Sequence, residues 1–209
     1  MDIAFLLFDG ITPLDAIGPF EILGRLPGAK VKMVAKQKGP VRTRGGSLAM
    51  TADYALAEVP RPDILLVPGG AGADATAEDK AVTGWVARAH ETTTWTTSVC
   101  TGALILGGAG VLKGLKATTH WRAMEDLKRF GAVPVHDRVV RQGKVITAAG
   151  VSSGLDMALT LAAEIAGEDI AKAIQLGIEY APQPPFDAGR IEDAPDERIL
   201  LARTGLSRP

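Results

Sequence analysis

The residues best suited to chemistry lie in the segment SVCTG, residues 98–102. A run rich in β-branched residues, Thr92 to Val99, predicts a strand that ends at Cys100, and the small residues from Gly102 to Leu112 predict a helix directly after it. A nucleophilic side chain at so sharp a turn from strand to helix is typical of a nucleophile elbow. The partial positive charge at the helix amino terminus favours a thiolate there. The segment therefore predicts an activated Cys100, with a buried structural cysteine as the alternative.

A glycine-rich loop, Pro68 to Gly72, follows the predicted buried strand Ile64 to Val67. Because the carboxyl ends of parallel strands meet at one edge of a sheet, we expect this loop close to the elbow. The amides of Gly69 or Gly70, together with that of Thr101, are candidate donors of an oxyanion hole. A tight turn that needs positive φ is the alternative. The loop lacks the G-x-G-x-x-G spacing, so no dinucleotide site is predicted.

Asp15 follows the first predicted strand, Ile3 to Phe8, and lies at the start of a helix predicted from Leu14 to Leu23. An amino cap is the ordinary interpretation of an aspartate at this place. Near a thiolate, however, like-charge repulsion and desolvation would raise its pKa, so that it keeps a proton and supplies it in catalysis. Glu21, later in the same helix, is the rival carboxylate and is more typical of a surface or capping group.

Three histidines complete the set of candidate groups. His120 follows the predicted strand Ala117 to Thr119 and is the secondary candidate, because a cysteine hydrolase generally needs a histidine within hydrogen-bond reach of sulfur. His90 and His136 are interpreted as structural or solvent-facing. No set of His, Asp and Glu residues has metal-ligand spacing, so no metal is predicted.

Short apolar runs alternate with helical patterns along the chain, which predicts an α/β fold with a mostly parallel sheet. Further strands are expected at Val31 to Ala35, Val133 to Val140 and Lys144 to Ala148, with hairpins within Val41 to Thr51 and at Gln142-Gly143. Further helices are expected at Glu78 to His90, Trp121 to Phe130, from Ser152 onward, and at Asp169 to Ile178.

The composition is that of a folded protein with one sizeable core. The chain has 209 residues, 46% hydrophobic and 22% charged, with a formal net charge of −1. These values exclude global disorder and give no electrostatic footprint of a nucleic-acid binder. A single cysteine excludes an intrachain disulfide. With no signal peptide and no apolar run of membrane-spanning length, we expect a cytoplasmic protein with one domain, residues 1–189, and a proline-containing tail, residues 190–209.

Five segments together resemble the DJ-1/PfpI superfamily, whose fold is related to class I glutamine amidotransferases. They are IAFLLFDGITPLDAIGPFEIL, VPGGAG, SVCTGALILGGAG, ATTHW and EYAPQPPFDAG, and the likeness runs from about Ile3 to Gly189. Within the superfamily the sequence is most similar to the isonitrile hydratases. Thr101 distinguishes these subgroups better than the elbow and the Asp15 segment, which many members share. Protease-like and deglycase-like members often carry histidine directly after the cysteine.

The resemblance implies a flavodoxin-like three-layer sandwich that assembles as a homodimer. It also implies that Cys100 is the nucleophile, that Asp15 is its carboxyl partner, and that Thr101 helps to bind an anion or to position water. The implied reaction is the hydration of an isocyanide to an N-substituted formamide through a thioimidate on the cysteine, without a cofactor.

Two other functions stay open at this point. One is a different cysteine enzyme of the superfamily, acting on an aldehyde, an amide or a glyoxal-derived adduct. The other is a redox-sensing or ligand-binding module, since ATTHW and the proline-containing segment also resemble the sensor domains of AraC-type regulators. Those regulators carry a helix-turn-helix domain afterwards, whereas this sequence ends at Pro209, so a regulator is not expected.

Overall fold

The chain alternates short strands with helices, and the computed structural model describes residues 1–204. In chain order the strands are β1 Asp2–Leu6, β2 Lys30–Ala35, β3 Gly39–Arg42, β4 Ala49–Ala52, β5 Tyr54–Ala55, β6 Ile64–Val67, β7 Trp95–Val99, β8 Lys116–Ala117, β9 Val133–Pro134, β10 Val139–Gln142 and β11 Val145–Ala148. The helices are α1 Pro13–Leu23, α2 Ala73–Glu78, α3 Lys80–Thr92, α4 Gly102–Gly108, α5 Ser153–Ala166, α6 Glu168–Gly177 and α7 Asp196–Arg203. The 3₁₀ segments are Leu56–Glu58, Trp121–Ala123 and Glu125–Phe130.

One seven-stranded sheet organises the larger part of the chain, in the order β10-β11-β7-β6-β1-β2-β5. Its neighbouring strands are parallel except for the antiparallel pair β10 and β11. Helices α1, α5 and α6 pack in series, α1 on α5 and α5 on α6, and α2, α3 and α4 form a second packed group. A mostly parallel sheet flanked by helices confirms the predicted α/β class.

Strands β1 and β6 form the buried centre of this sheet. Their apolar residues, IAFL and ILLV, are at most 1% exposed, as expected of strands covered on both faces. Phe5 packs edge to face on Phe20, with ring centroids 6.4 Å apart, and so ties α1 to the sheet. Because β7, β6 and β1 are adjacent, the loops after these three strands meet at one edge.

Both predicted hairpins are confirmed, but two predicted strands are shorter than expected. The strand predicted from Thr92 begins at Trp95, because Thr92 still belongs to α3. Strands β3 and β4 pair antiparallel, as do β10 and β11 around Gly143, whose φ is +61°. The strand predicted over Val133 to Val140 is interrupted, because Val133–Pro134 pairs with β8 in a separate sheet and β10 begins only at Val139. Pro134 has no N–H to donate to a longer ladder.

Two predicted helices differ in extent from the observed ones. The helix predicted over Glu78 to His90 is two helices that break at Asp79, whose side chain caps α3 by accepting a 2.9 Å hydrogen bond from the Ala81 amide. Helix α4 ends earlier than predicted, at Gly108, and the chain turns at Gly110 with φ +79°.

The segment from Trp121 to Phe130 is a pair of 3₁₀ turns and not the predicted α-helix. Its amides bond three residues back, from Ala123 to His120 and from Leu127 to Met124. The buried Leu127 anchors the second turn against the body of the fold.

The chain divides into two compact units, Met1–Ile178 and the residues from Glu179 onward. The second unit contains α7, and its Phe186 is exposed. The domain of residues 1–189 and the tail of residues 190–209 stay predictions, and residues 205–209 lie outside the described part of the chain. Across residues 1–204, no helix combines the length and the apolar character needed to span a membrane.

We expect Gly108→Ala to lower the free energy of unfolding by about 1–3 kcal/mol, the usual cost of overpacking. A Cβ at this position would lie 2.2 Å from the Ala77 carbonyl oxygen, where α4 packs on α2. Gly177→Ala is the matched control, because a Cβ there meets nothing within 4 Å. Urea denaturation should show Gly177→Ala unchanged or slightly more stable, and equal losses in both variants would contradict the close packing of α4 on α2.

Candidate active site

The turn between β7 and α4 is the predicted nucleophile elbow. Only Cys100 and Thr101 separate the end of the strand from the start of the helix. Cys100 has φ +57°, in the left-handed region that costs a non-glycine residue about 1–2 kcal/mol. Its side chain is 4% exposed. A strained backbone conformation of this kind persists only where the surrounding structure holds it in place.

Two glycines allow the elbow to approach the loop after β6. A Cβ on Gly102 would lie 2.1 Å from the Val67 carbonyl oxygen, and one on Gly69 would lie 2.5 Å from the Thr101 nitrogen. Both distances are far below normal contact, so only glycine fits at either position. The loop therefore lies directly against the first residues of α4.

The Asp15 carboxyl group lies beside the Cys100 sulfur and is fully buried. Its Oδ2 accepts a 2.9 Å hydrogen bond from the Gly69 amide, which joins α1 to the loop after β6. Its Oδ1 accepts no hydrogen bond of regular geometry from the described residues. Thr12, and not Asp15, occupies the amino-cap position of α1. The capping interpretation of Asp15 is therefore wrong.

Burial controls the ionisation of this pair. Desolvation raises the pKa of Asp15 from 3.8 to about 7, against the opposing effect of hydrogen bonds from the Gly69 amide and from Cys100. Desolvation and the negative charge of Asp15 also raise the pKa of the Cys100 thiol to about 12, although the Thr101 amide favours the thiolate. The prediction that the charge at the helix amino terminus favours a thiolate is therefore wrong for this pair, because burial and the charge of Asp15 together outweigh it.

A thiolate can form here when its proton has an acceptor nearby. The Asp15 carboxylate is placed to accept it, because it lies against the sulfur and burial raises its pKa to about 7. When the carboxyl group takes the proton, the charge that opposes the thiolate disappears, and the Thr101 amide remains to stabilise the sulfur. The geometry thus supports transfer of one proton within a buried pair.

Thr101 and the two loop glycines are already bonded to each other and to Asp15. The Thr101 hydroxyl accepts a 2.9 Å hydrogen bond from the Gly70 amide and donates a 3.1 Å one to the Gly70 carbonyl oxygen. The Gly69 amide donates to Asp15. An oxyanion hole made from these two glycine amides would require both to leave their present acceptors. In this arrangement they position Asp15 and Thr101 instead.

The other candidate side chains lie outside this pair. His120 Nδ1 accepts a 3.3 Å hydrogen bond from the Arg122 amide, and desolvation lowers the pKa of its ring. The exposed Glu21 pairs with Arg25 at 2.9 Å, as expected for a surface group. His90 bonds to Thr96 near the amino end of β7, at the opposite edge of the sheet from Cys100. His136 is exposed. No cluster in residues 1–204 has three or more groups placed to hold a metal ion.

A cleft of about 600 Å³ opens elsewhere, at the carboxyl ends of β1 and β2. Its lining includes Phe8, Lys36, Lys38 and Asp79 but neither Cys100 nor Asp15. The buried pair, and not this cleft, is therefore the candidate site of chemistry.

Comparison with known proteins decides the family. The model described as the DJ-1/PfpI family matches residues 1–164, which is well over half of the chain. The chain belongs to the DJ-1/PfpI family. The resemblance seen in the sequence motifs is thereby confirmed.

Relatives of this DJ-1/PfpI chain include an enzyme and a regulator. Isonitrile hydratase of Pseudomonas putida is 42% identical over 97% of this chain and 89% of its own length. The transcriptional regulator CdhR of Pseudomonas aeruginosa is 26% identical over 97% of this chain but only 60% of its own length. Among solved structures, a ThiJ/PfpI family protein from Pseudomonas syringae has a TM-score of 0.92 at 40% identity, covering 97% of this chain and 86% of that one.

The raised pKa of Asp15 predicts a pH dependence of stability for this DJ-1/PfpI chain. Between its unfolded value near 3.8 and its folded value of about 7, the folded state keeps a proton that the unfolded chain releases. The free energy of unfolding should therefore fall as pH rises through this window, by at most about 1.4 kcal/mol per pH unit.

Asp15→Asn removes this titration and provides the reference. We expect the difference in unfolding free energy between wild type and variant to change steadily from about pH 4 to about pH 7 and then level off. Urea denaturation across this range measures it. Parallel pH profiles for the two proteins would mean that Asp15 is ionised in the folded state throughout.

Proposed function

We propose that this chain is an isonitrile hydratase, which converts an isocyanide and water to an N-substituted formamide. The likeness to the isonitrile hydratase of Pseudomonas putida carries the proposal, because it spans nearly the whole of this chain at 42% identity. The buried pair of Asp15 and Cys100 supports it, since it offers a nucleophile and a proton at adjacent positions.

In the first half of the reaction, the sulfur adds to the terminal carbon of R–N≡C. Asp15 takes the thiol proton of Cys100 as the C–S bond forms, and it then delivers this proton to the same carbon. One of the C–N π bonds is lost, and the product is the thioimidate Cys100–S–CH=N–R. As the thiol loses its proton, negative charge develops on the sulfur, and the Thr101 amide stabilises this charge.

In the second half, water adds to the thioimidate carbon. The water oxygen bonds to this carbon, one water proton goes to nitrogen, and the C=N bond becomes single. The C–S bond then breaks with its electron pair on sulfur, and the hydroxyl proton returns through Asp15 to Cys100. The formamide HC(=O)–NH–R leaves, and the starting protonation of the pair is restored.

This chemistry needs no histidine at the sulfur, which separates it from the amide and glyoxal-adduct hydrolases. Such enzymes protonate an amine or stabilise an alkoxide, commonly with histidine next to the nucleophile. The hydrogen bond of His120 goes to the Arg122 amide, and the groups that shift the pKa of Cys100 are Asp15 and Thr101. The arrangement therefore favours the isocyanide reaction over the alternative hydrolases.

Formamide production from an aryl isocyanide tests the proposal. We expect turnover by the wild type, none by Cys100→Ala, and a rate about 10²- to 10⁴-fold lower for Asp15→Asn, the usual contribution of a general acid or base. His120→Ala is the control and should leave turnover near the wild-type value. Absence of turnover in folded wild type, or full activity in Cys100→Ala, would contradict the proposed reaction.

We also propose that the protein is a homodimer, with helix α1 in the interface. The same face of this helix carries Leu14, Ile17 and Phe20, which are 44%, 39% and 38% exposed. Three large apolar side chains at a spacing of three residues form a stripe of the kind that marks an association surface. The proposed partner is a second copy of this chain.

Ile17→Glu should convert the dimer to a monomer, because it places a charge in the centre of this stripe. Sedimentation velocity at several protein concentrations measures the change. Leu176→Glu, on the 79% exposed Leu176 of α6, is the matched control and should leave the dimer intact. A monomeric wild type, or a dimer that persists in Ile17→Glu, would contradict the assignment of α1.

A further inference from the structure

Both backbone polar groups of Cys100 are held by hydrogen bonds. Its amide donates to the carbonyl oxygens of Ala148, at 3.0 Å, and Ala149, at 2.8 Å, at the end of β11. Its carbonyl oxygen accepts a 2.7 Å hydrogen bond from the buried Thr119 hydroxyl, and a longer one of 3.4 Å from the Ala103 amide. The Thr119 side chain is therefore the short contact that fixes the carbonyl of a residue in a strained conformation.

Thr119 is itself fixed by the same strand that holds the Cys100 amide. It is 1% exposed, and the amide of its neighbour Thr118 donates a 2.9 Å hydrogen bond to the Thr147 hydroxyl in β11. The end of β11 thus bonds to the elbow, and β11 also bonds to the segment Thr118-Thr119, which donates a hydrogen bond to the elbow. This closed ring of contacts leaves the hydroxyl little freedom to move.

The Cys100 carbonyl and the Thr101 amide belong to one planar trans peptide unit, so they point in opposite directions. The Thr101 amide is the backbone group that lowers the pKa of the Cys100 thiol. Both groups lie in this plane, on opposite sides of the C–N bond. A hydrogen bond that fixes the direction of the carbonyl therefore also fixes the direction of the amide. Rotation of this peptide plane would turn the amide away from the sulfur.

We infer that Thr119 is a positioning residue whose hydroxyl fixes the Cys100–Thr101 peptide plane, so that the Thr101 amide faces the charge developing on sulfur. The effect of Thr119 on isocyanide turnover rests on the proposed function. Its effect on the reactivity of the Cys100 sulfur is expected with any electrophile. Asp15 from α1 is the titratable group that acts on the sulfur, and the ring of His120, next to Thr119 in the chain, bonds to the Arg122 amide.

Thr119→Val, which keeps the shape and removes the hydroxyl, tests the inference. We expect iodoacetamide to alkylate Cys100 about tenfold more slowly at a fixed pH, with the pH profile displaced upward by about one unit. With an isocyanide substrate, kcat should fall while KM stays nearly constant, because the amide acts on charge that develops during the reaction. Thr119→Ser retains the hydroxyl and should restore both behaviours.

Thr97→Val is the matched control. Thr97 lies in β7, is equally buried, and donates a 3.1 Å hydrogen bond to the Leu65 carbonyl oxygen. It should lose comparable stability without a displaced alkylation profile. If Thr119→Val does not fold, Thr119→Ala takes its place in the same comparison.

The outcomes separate this inference from the proposed function. An alkylation profile unchanged in the Thr119 variant, or displaced equally in Thr97→Val, would overturn the positioning role. A displaced profile specific to Thr119, in a protein that does not hydrate isocyanides, would uphold the positioning role and refute the hydratase.

Discussion

Between the end of β7 at Val99 and the start of α4 at Gly102 the chain changes direction over two residues, and this constraint determines the site around it. Cys100 has a left-handed conformation, in which its amide donates to carbonyl oxygens at the end of β11 and its carbonyl accepts from Thr119. Close approach of the elbow to the loop after β6 then requires glycine at positions 69 and 102. The same loop carries the amide that holds Asp15 against the sulfur.

Burial gives this geometry its chemistry. A carboxyl group and a thiol that are both removed from water resist ionisation, and the charge of Asp15 raises the pKa of the Cys100 thiol further. The pair is therefore most stable with a proton that can pass between oxygen and sulfur. An isocyanide needs the same combination, since its terminal carbon accepts both a sulfur and a proton. The Gly69 amide holds Asp15 in place, and the Gly70 amide bonds to the Thr101 hydroxyl of the elbow. These hydrogen bonds fix the position of Asp15 relative to the elbow.

The sequence predicted the features that local patterns determine. A β-branched run before a small-residue helix located the elbow, and strand order placed Asp15 at the same edge. Contacts between distant segments were not predictable. Three features depend on which groups meet in space. Burial outweighs the helix terminus at Cys100, and the Gly69 and Gly70 amides are already hydrogen-bonded. The Thr119 hydroxyl also donates a hydrogen bond to the Cys100 carbonyl. The ATTHW motif gave the only local signal of Thr119.

The ¹³Cγ chemical shift of Asp15, followed by NMR from about pH 4 to about pH 9, tests most directly whether a buried carboxyl group holds a proton beside Cys100. Asp15→Asn identifies the signal by its loss. We expect a single titration with a midpoint near 7, the value to which burial raises this pKa. A midpoint near the ordinary value of 3.8 would show that burial does not raise this pKa, and it would contradict a carboxyl group that still holds a proton close to neutral pH.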